Sequence, residues 1–457
     1  GGLVWGGGVA LLVLALVLAP FRTAFPRASN LTRMEITPGW LVSALAMVIG
    51  VGLLGLWSFE HADYGDQPFW KTMADADAAR SIRAWGGTAI ALVIFGVWRL
   101  FATVATPKVV GEGDPDFQQV RAILAKAELA EPTSNVALLG DKRFLFSPSG
   151  ESFLMFAVRG RSWIALGAPV GRRSERLDLL WRFRELADAH AARPCLYSIG
   201  AEDLPDVVEL GFSIQKVGEL AALPLANFQI DGTKRGNLRR AWKKLGAEGA
   251  TFEVVRPPNV QAILPDLAAI SEAWLAHHAG GEKGFSMGGF HPGYVAEFPV
   301  AVARWEGRIV AFATLWPTAA KTAFSTDLMR YADDAPKRIM DYLFVEVINW
   351  GRAEGYGAME FGMAPLAGLE DRPLAPILSR VGNLVFERGE DLYNFQGVRM
   401  YKDKWDPLWH PRYIAAPHKW MIPILLADVG LLSSGGVAGL AKRSRKPDEP
   451  ATVPAAA

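Results

Sequence analysis

Cysteine is almost missing from this chain: its 457 residues include one, Cys195. A single thiol excludes a disulfide framework and a cysteine-based metal site, and it fits a reducing compartment. Charge imbalance is missing too. Forty-eight Lys/Arg against 47 Asp/Glu leave a formal net charge of +1, so any anion-binding surface has to be local. The HExxH and Walker patterns and Cys/His clusters are also absent, which removes the best-marked routes to metal and nucleotide chemistry.

What the chain does have, early on, is long apolar sequence. Leu3–Ala19 and Thr37–Phe59 carry no charge, and Ala84–Thr106 carries only Arg99, near the end where its side chain can reach the headgroups. Each is close to the roughly 20 residues that cross a bilayer as a helix. A cleaved signal is the alternative for the first run, but it lacks a basic leader and two more spans follow, so a membrane span is expected. The connection with Arg22, Arg27 and Arg33 against Glu35 is expected inside. The next, with Glu60, Asp63, Asp66, Asp75 and Asp77 against Lys71, Arg80 and Arg83, is expected outside. Everything after the third span is then cytoplasmic. The chain opens on Gly1 directly into apolar sequence and reads as a segment of a longer membrane protein.

From Asp114 onward the composition is globular. Helical periodicity covers Asp116–Ala130, and strand-like runs follow at "RFLFSP", "SFLMFAVRG" and "SWIALGAPVG". A helix over "RSERLDLLWRFRELADAHAAR" leads to a strand at "PCLYSIG". The order then recurs: helix Pro265–His277, strands "VAVARWEG", "RIVAFATLWP" and "KTAFSTDLMRY", a helix from Pro336 to Glu354, and the strand "AMEFGMAP". Two α/β (α+β) modules of related plan are expected, each a mostly antiparallel sheet with helices on its faces. Between them, Lys234, Arg235, Arg239, Arg240, Lys243 and Lys244 form a run without acids. It is either a solvated amphipathic helix or a contact for RNA or lipid phosphates. "KWMIPILLADVGLL" is too short to span a bilayer, so it either lies in the interface or packs on the domain.

The second module has the strand–loop–helix–strand outline of an N-acyltransferase. Its loop, in "DLMRYADDAPKRIMDYL", has no glycine and places Asp333 and Asp334 where a pyrophosphate would sit, which argues against coenzyme A as donor. "FSTDLMR" with the following "IMDYL", "MEFGMAPLAGL" and "LYNFQGVRMYKDKWDPLWHPRYIAAP" resemble the cytoplasmic synthase domain of the bacterial aminoacyl-phosphatidylglycerol synthase/flippase family, the multiple peptide resistance factors. The basic helix and the "FEHADYGDQPFW" and "DADAARSIRA" stretches between the spans fit the same family. The likeness runs to about Pro417.

The resemblance implies a tandem N-acyltransferase (GNAT-like) fold preceded by transmembrane helices. The expected division is 1–108 membrane segment, 109–225 first module, 226–420 second module with the active site, and 421–457 an interfacial helix and tail. It implies transfer of a lysyl or alanyl group from aminoacyl-tRNA to phosphatidylglycerol at the inner membrane. The product, a cationic lipid, would resist cationic peptides. The partners implied are tRNA, phosphatidylglycerol and the bilayer, with self-association left open. Neither cofactor nor metal is implied. Two other readings share some of these features: transfer from tRNA to a peptidoglycan precursor, and a non-catalytic lipid-binding scaffold.

An aminoacyl ester is already activated, so a site has only to orient the acceptor hydroxyl, take its proton and stabilise the oxyanion. The expected catalytic residues are Asp327, Arg330, Glu360 and Lys402. Asp327 would be base or amine ligand, and Arg330 would hold phosphate or ester oxygen. Each also has a structural reading: a local ion pair for the first two, an edge-strand charge for Glu360. Asp341, Tyr393, Asn394, Arg399, Tyr401 and Lys404 are the expected substrate-binding residues, Asp341 doubling as compensation for a helix dipole. If "VRMYKDKW" is extended, Lys402 and Lys404 share one face and Tyr401 and Trp405 the other. Trp405 and Trp409 are then candidates for touching the bilayer. "GEKGFSMGGF" reads as a mobile loop able to close over the aminoacyl end.

Overall fold

A computed structural model describes residues 115–434 except 227, 232–234, 278–281, 283, 371, 373, 377–378 and 380–394. The three expected membrane spans lie outside the described residues. Among those described, no helix is long and apolar enough to cross a membrane.

The strands are β1 (Arg143–Phe146), β2 (Phe153–Arg159), β3 (Ser162–Leu166), β4 (Arg193–Ile199), β5 (Ser213–Pro224), β6 (Thr251–Val255), β7 (Val300–Trp305), β8 (Arg308–Pro317), β9 (Ala323–Tyr331), β10 (Ala358–Pro365) and β11 (Leu408–Ala416). The helices are α1 (Pro115–Leu124), α2 (Arg176–Ala189), α3 (Leu204–Glu209), α4 (Gly236–Ala247), α5 (Leu264–His277), α6 (Pro292–Val295), α7 (Ile339–Ala353), α8 (Phe395–Asp403) and α9 (Ile422–Ser433). All 11 strands form one sheet, in the order β1-β2-β3-β4-β11-β5-β10-β9-β8-β7-β6.

Each half repeats one plan. Antiparallel strands lead to a single parallel pair, β3 with β4 in the first half and β9 with β10 in the second. The closing strands are exchanged: β5, from the first half, pairs with β10, and β11, from the end of the second, pairs with β4. β5 and β11 then pair with each other along nine positions and weld the halves together.

One face of the sheet is covered by α1, α5, α6, α9 and the 3₁₀ segment Pro132–Leu139. The other carries α2 and α3 over the first half and α4 and α7 over the second. β8 is buried on both faces, which is why "IVAFATLW" reads as an unbroken apolar run. α7 buries Ile339, Leu343, Val347 and Gly351 along one stripe, the spacing of a helix lying on a sheet. A β-carbon on Gly351 would run into the Phe324 ring, so glycine sets how closely α7 approaches β9. α9 packs on the domain through Ile422, Leu425 and Val429, and its Asp428 binds Arg159 and Ser162; Trp420 and Ile424 stay exposed.

Candidate active site

The second parallel pair opens into a wedge. β9 and β10 pair only at Ala323–Ala358, Phe324–Met359 and Ser325–Glu360. The Ser325 hydroxyl closes the apex by donating to the Glu360 carbonyl at 2.8 Å. Beyond it both strands bulge. In β9, Asp327 and Leu328 together face Thr314, whose Oγ1 accepts the Leu328 N–H at 2.9 Å. In β10 the register slips between Glu360 and Met363, with Gly362 at φ 75°. Bulges re-aim side chains and free backbone groups, and here they do both.

Asp327 is turned toward the layer containing α6. Its Oδ1 accepts the Gly288 N–H at 2.9 Å and its Oδ2 the Tyr294 hydroxyl at 3.0 Å. The Tyr294 oxygen in turn accepts from Trp316 Nε1 at 3.0 Å. Burial outweighs these hydrogen bonds and the nearby Arg330, and pushes the Asp327 carboxyl up to about 6. That value suits a general base at neutral pH.

Arg330 and Asp327 do not share an ion pair; each has its own partners. The Arg330 guanidinium, 3% exposed, grips both oxygens of Glu282 at 2.8 Å, donates to Ser271, and lies over the rings of Trp274 and Phe290. Glu282 also accepts the Phe290 N–H at 3.1 Å. The stretch expected to be a mobile loop is therefore tied down at its described residues. Asp141 holds Phe285 N–H, Asp327 holds Gly288, and Phe285 is buried in the core. Charged groups on distant segments fix it, and none of them is visible in the loop's own glycines.

The aromatic-basic segment is also different from its expected form. "FQGVRMYKD" is the helix α8, not an extended strand, in keeping with the helix propensity of Gln, Arg, Met and Lys. Lys402 and Lys404 consequently diverge. Lys402, 7% exposed, donates to the Gly362 carbonyl at 2.8 Å and the Met363 carbonyl at 3.0 Å, the two groups released by the β10 bulge. Burial without a carboxylate beside it pulls its ammonium down to about 8.

Lys404 bonds Asp341, in the first turn of α7, and lies 3.9 Å from the Tyr401 ring centroid. Arg338 pairs with the same Asp341 at 2.9 Å. Arg399 pairs with Glu219 at 3.1 Å and covers the Trp409 ring at 4.6 Å. Trp405, expected at the bilayer, is 0% exposed and packs between Phe344 and Phe361, so its size fills the core. Tyr393 and Asn394 lie outside the described residues.

The basic run forms α4, and its cations divide. Arg235 donates to the carbonyls of Gln229 and Trp405 at 2.8 Å, and Arg239 leans toward Ile230 and Asp231, so both brace the fold. Arg240, Lys243 and Lys244 are exposed, Arg240 bonded to Asn237 and Lys244 within 3.7 Å of Glu248. Lys234 lies outside the described residues.

Glu360 points elsewhere. It lines a cavity of about 580 Å³ on the sheet face carrying the 3₁₀ segment, between the two halves of the sheet. Around it stand Glu131, Glu202, Asp203 and Arg412. Arg412 is bonded to Glu131 and the Ser198 carbonyl, and Arg176 to Asp203 and Asp206. Burial, reinforced by the Glu131 carboxylate, pushes the Glu360 carboxyl up to about 8. Sequence reasoning missed Glu219, Glu282, Tyr294 and Glu131. A buried charge on a strand such as β5 or β11 would have been the only local sign, and those two strands were not anticipated.

A wedge between two parallel strands, with a half-buried carboxylate on one edge and a buried lysine on the other, defines a two-module acyltransferase-like α/β protein. The chain belongs to the family described as phosphatidylglycerol lysyltransferase, C-terminal, whose model matches residues 121–416. A phosphatidylglycerol lysyltransferase of Bacillus subtilis strain 168 is 35% identical over 333 residues, 72% of this chain and 38% of that one. One from Staphylococcus xylosus is 33% identical over 282 residues, 62% of this chain and 33% of the relative. The chain thus spans little more than a third of these relatives' length.

Among solved structures, L-PGS from Bacillus licheniformis superposes with a TM-score of 0.64 at 34% identity, over 72% of this chain and 99% of that one. A C-terminal domain of a candidate lysylphosphatidylglycerol synthetase from Agrobacterium fabrum gives 0.63 at 39%, over 70% and 98%.

Proposed function

We propose that the described domain is the catalytic part of a membrane-anchored aminoacyl transferase. It moves a lysyl or alanyl group from aminoacyl-tRNA to a glycerol hydroxyl of phosphatidylglycerol at the cytoplasmic face of the inner membrane. The observation that carries this reading is the wedge itself, with Asp327 on β9 and the Lys402-bound bulge on β10. The lipid hydroxyl attacks the ester carbonyl and gives up its proton to Asp327. Lys402 has three ammonium protons and two are taken by carbonyls, which leaves one for the developing oxyanion. The tRNA 3′-terminal ribose oxygen departs and collects the proton. An ester is exchanged for an ester, so no cofactor enters the balance.

Two further features support a tRNA donor over coenzyme A. The glycine-containing loop after β3 has its N–H groups already engaged: Gly167 with Tyr197, Val170 with Phe153, Gly171 with Leu129, and Arg172 with Ser152. The loop after β9 exposes Asp333 and Asp334. Neither loop offers a free cradle to a pyrophosphate. The exposed cations of α4 offer phosphate contacts at low cost. The product replaces an anionic lipid with a cationic one and weakens attraction of cationic peptides.

The test uses the purified chain, phosphatidylglycerol vesicles and tRNA charged with labelled lysine or alanine. Label is expected in lipid with intact donor and to vanish when the donor is digested with RNase beforehand. Label entering a lipid-linked peptidoglycan precursor, or no acceptor at all, would overturn the proposal.

A further inference from the structure

The first half of the sheet supplies no reacting group to the steps above, yet it reaches the site at one place. Lys142, immediately before β1, is 0% exposed, and its ammonium bonds the neighbouring Asp141 carboxylate. Burial lowers the lysine's hold on its proton, and Asp141 opposes that shift. Both members of the pair turn to one residue of the loop between α5 and α6. Asp141 Oδ2 accepts the Phe285 N–H at 3.1 Å, and Lys142 Nζ lies 5.5 Å from the Phe285 ring centroid. Tyr197, on β4, adds a ring 6.3 Å from the same centroid.

Phe285 is held in a conformation that its side chain disfavours. Its φ is 61°, in the left-handed region that bulky residues seldom adopt. Such strain persists only where the surroundings over-determine the residue. Here the N–H and the ring are both fixed, and the preceding Gly284 donates to the Ser433 carbonyl of α9 at 3.3 Å. Further along the turn, Gly288 gives its N–H to Asp327 Oδ1 at 2.9 Å. Among the described residues, 285–288 make no backbone–backbone hydrogen bond, so the carboxylates of Asp141 and Asp327 are the polar holds on the turn. Arg330 and Glu282 are the other charges near Asp327, and they are paired with each other. Burial, and then Asp327 itself, keep the Tyr294 hydroxyl protonated, and Asp141 adds to the effect, so Tyr294 stays a donor to Asp327.

We propose that Asp141 and Lys142 are positioning residues for the transfer step: reaching over from the first half, they fix Phe285 and so aim the Gly288 N–H at the Asp327 carboxylate. The inference rests on the reading of Asp327 as base and gives the first half a part in setting that base. Without the Gly288 donor, the ionised carboxylate is less well held and takes a proton more readily. The acid limb of transfer then moves up in pH.

Two double variants that differ only in the acceptor left for Phe285 provide the test. Asp141→Ala with Lys142→Met removes that acceptor and both charges, whereas Asp141→Asn with Lys142→Met keeps a carbonyl oxygen in its place. Neither leaves an unpaired buried charge, so both should unfold in urea close to wild type. The full chain in phosphatidylglycerol vesicles is assayed for transfer against pH, beside hydrogen exchange of the peptide 284–290. The Asp141→Ala double variant should transfer at least about tenfold more slowly, with the KM for tRNA unchanged. Its acid limb should move up by about one pH unit, the worth of one hydrogen bond to a charged group, and the peptide should exchange faster. The Asp141→Asn double variant should recover most of the rate, the limb and the protection. Wild-type behaviour in both, or equal loss in both, overturns the inference, since only the acceptor distinguishes them. If the Asp141→Ala double variant does not fold, Phe285→Gly takes its place, easing the backbone while removing the ring; an unmoved limb and full protection there overturn the inference too. Absence of transfer by wild type, with protection still lost in the Asp141→Ala double variant, would instead sink the transferase reading and leave the hold on the turn standing.

Discussion

Replacing Asp327 with Asn separates catalysis from folding, because the two should move in opposite directions. Burial raises this carboxyl from 3.8 to about 6, so the fold holds the protonated form more tightly than the unfolded chain does. The group's contribution is therefore most favourable at acid pH and is lost as pH rises from about 4 to about 6. At neutral pH the ionised form costs the fold up to about 3 kcal/mol, at roughly 1.4 kcal/mol for each pKa unit. Asparagine keeps an acceptor for the Gly288 N–H but disturbs the Tyr294 bond, which offsets about 1 kcal/mol. A net gain of about 1–2 kcal/mol is expected above pH 7, fading below pH 4. Transfer to lipid should meanwhile fall by about 10²–10⁴-fold, the worth of a general base. Urea denaturation at pH 5 and 7.5, run beside the labelled-lipid assay, measures both. If the variant is less stable than wild type at pH 7.5, or transfers within about threefold of it, the base assignment fails.

In wild type, transfer should rise with pH through about 6 as Asp327 ionises and fall through about 8 as Lys402 loses its proton. Lys402→Met should remove the upper limb and lower the maximum by about tenfold or more; an unchanged upper limb would assign it to another group. Gly288→Ala places a β-carbon against the Asp327 carboxylate and 2.7 Å from the Tyr294 hydroxyl. It should cut turnover while largely sparing the far-ultraviolet circular dichroism. Full activity would show that the loop gives way without cost. Changing Arg240, Lys243 and Lys244 together to Gln should weaken tRNA binding and flatten its salt dependence in filter-binding titrations. An unaltered salt slope would return α4 to a merely solvated helix.

The parts of the fold legible in the sequence are those whose burial is local. Most strands and long helices read correctly because their apolar period shows in a window of ten residues: β8, β9 and α7 are examples. β5 and β11 escaped because charges interrupt both, and Glu219 and Arg412 find partners far along the chain. Lys216 and Glu219 interrupt β5, and Pro411 and Arg412 interrupt β11. Only the exchange of these strands, with Glu219 opposite Pro411 and bonded to Arg399, makes those residues compatible with a central position in a sheet. Short-range pattern reading has no access to such pairing.

The site divides along the same line. Glu360 was identifiable as a charge set among apolar neighbours, and Asp327 and Lys402 as charges in the segments that carry the resemblance, but their roles depend on what the tertiary structure brings to them. Lys402 and Lys404, two residues apart, reach opposite surroundings because the chain there is helical and then turns at Trp405. One meets bare carbonyls and has its pKa drawn down to about 8; the other meets Asp341. Glu360 and Asp327 sit on adjacent strands near one apex, yet Asp327 accepts from Gly288 and Tyr294 while Glu360 faces the charges of Glu131 and Arg412. Burial raises both, but donors to Asp327 hold its carboxyl at about 6, whereas Glu360, desolvated and beside another acid, is pushed up to about 8. That difference in surroundings is why Asp327, and not Glu360, is the acid ionised at neutral pH.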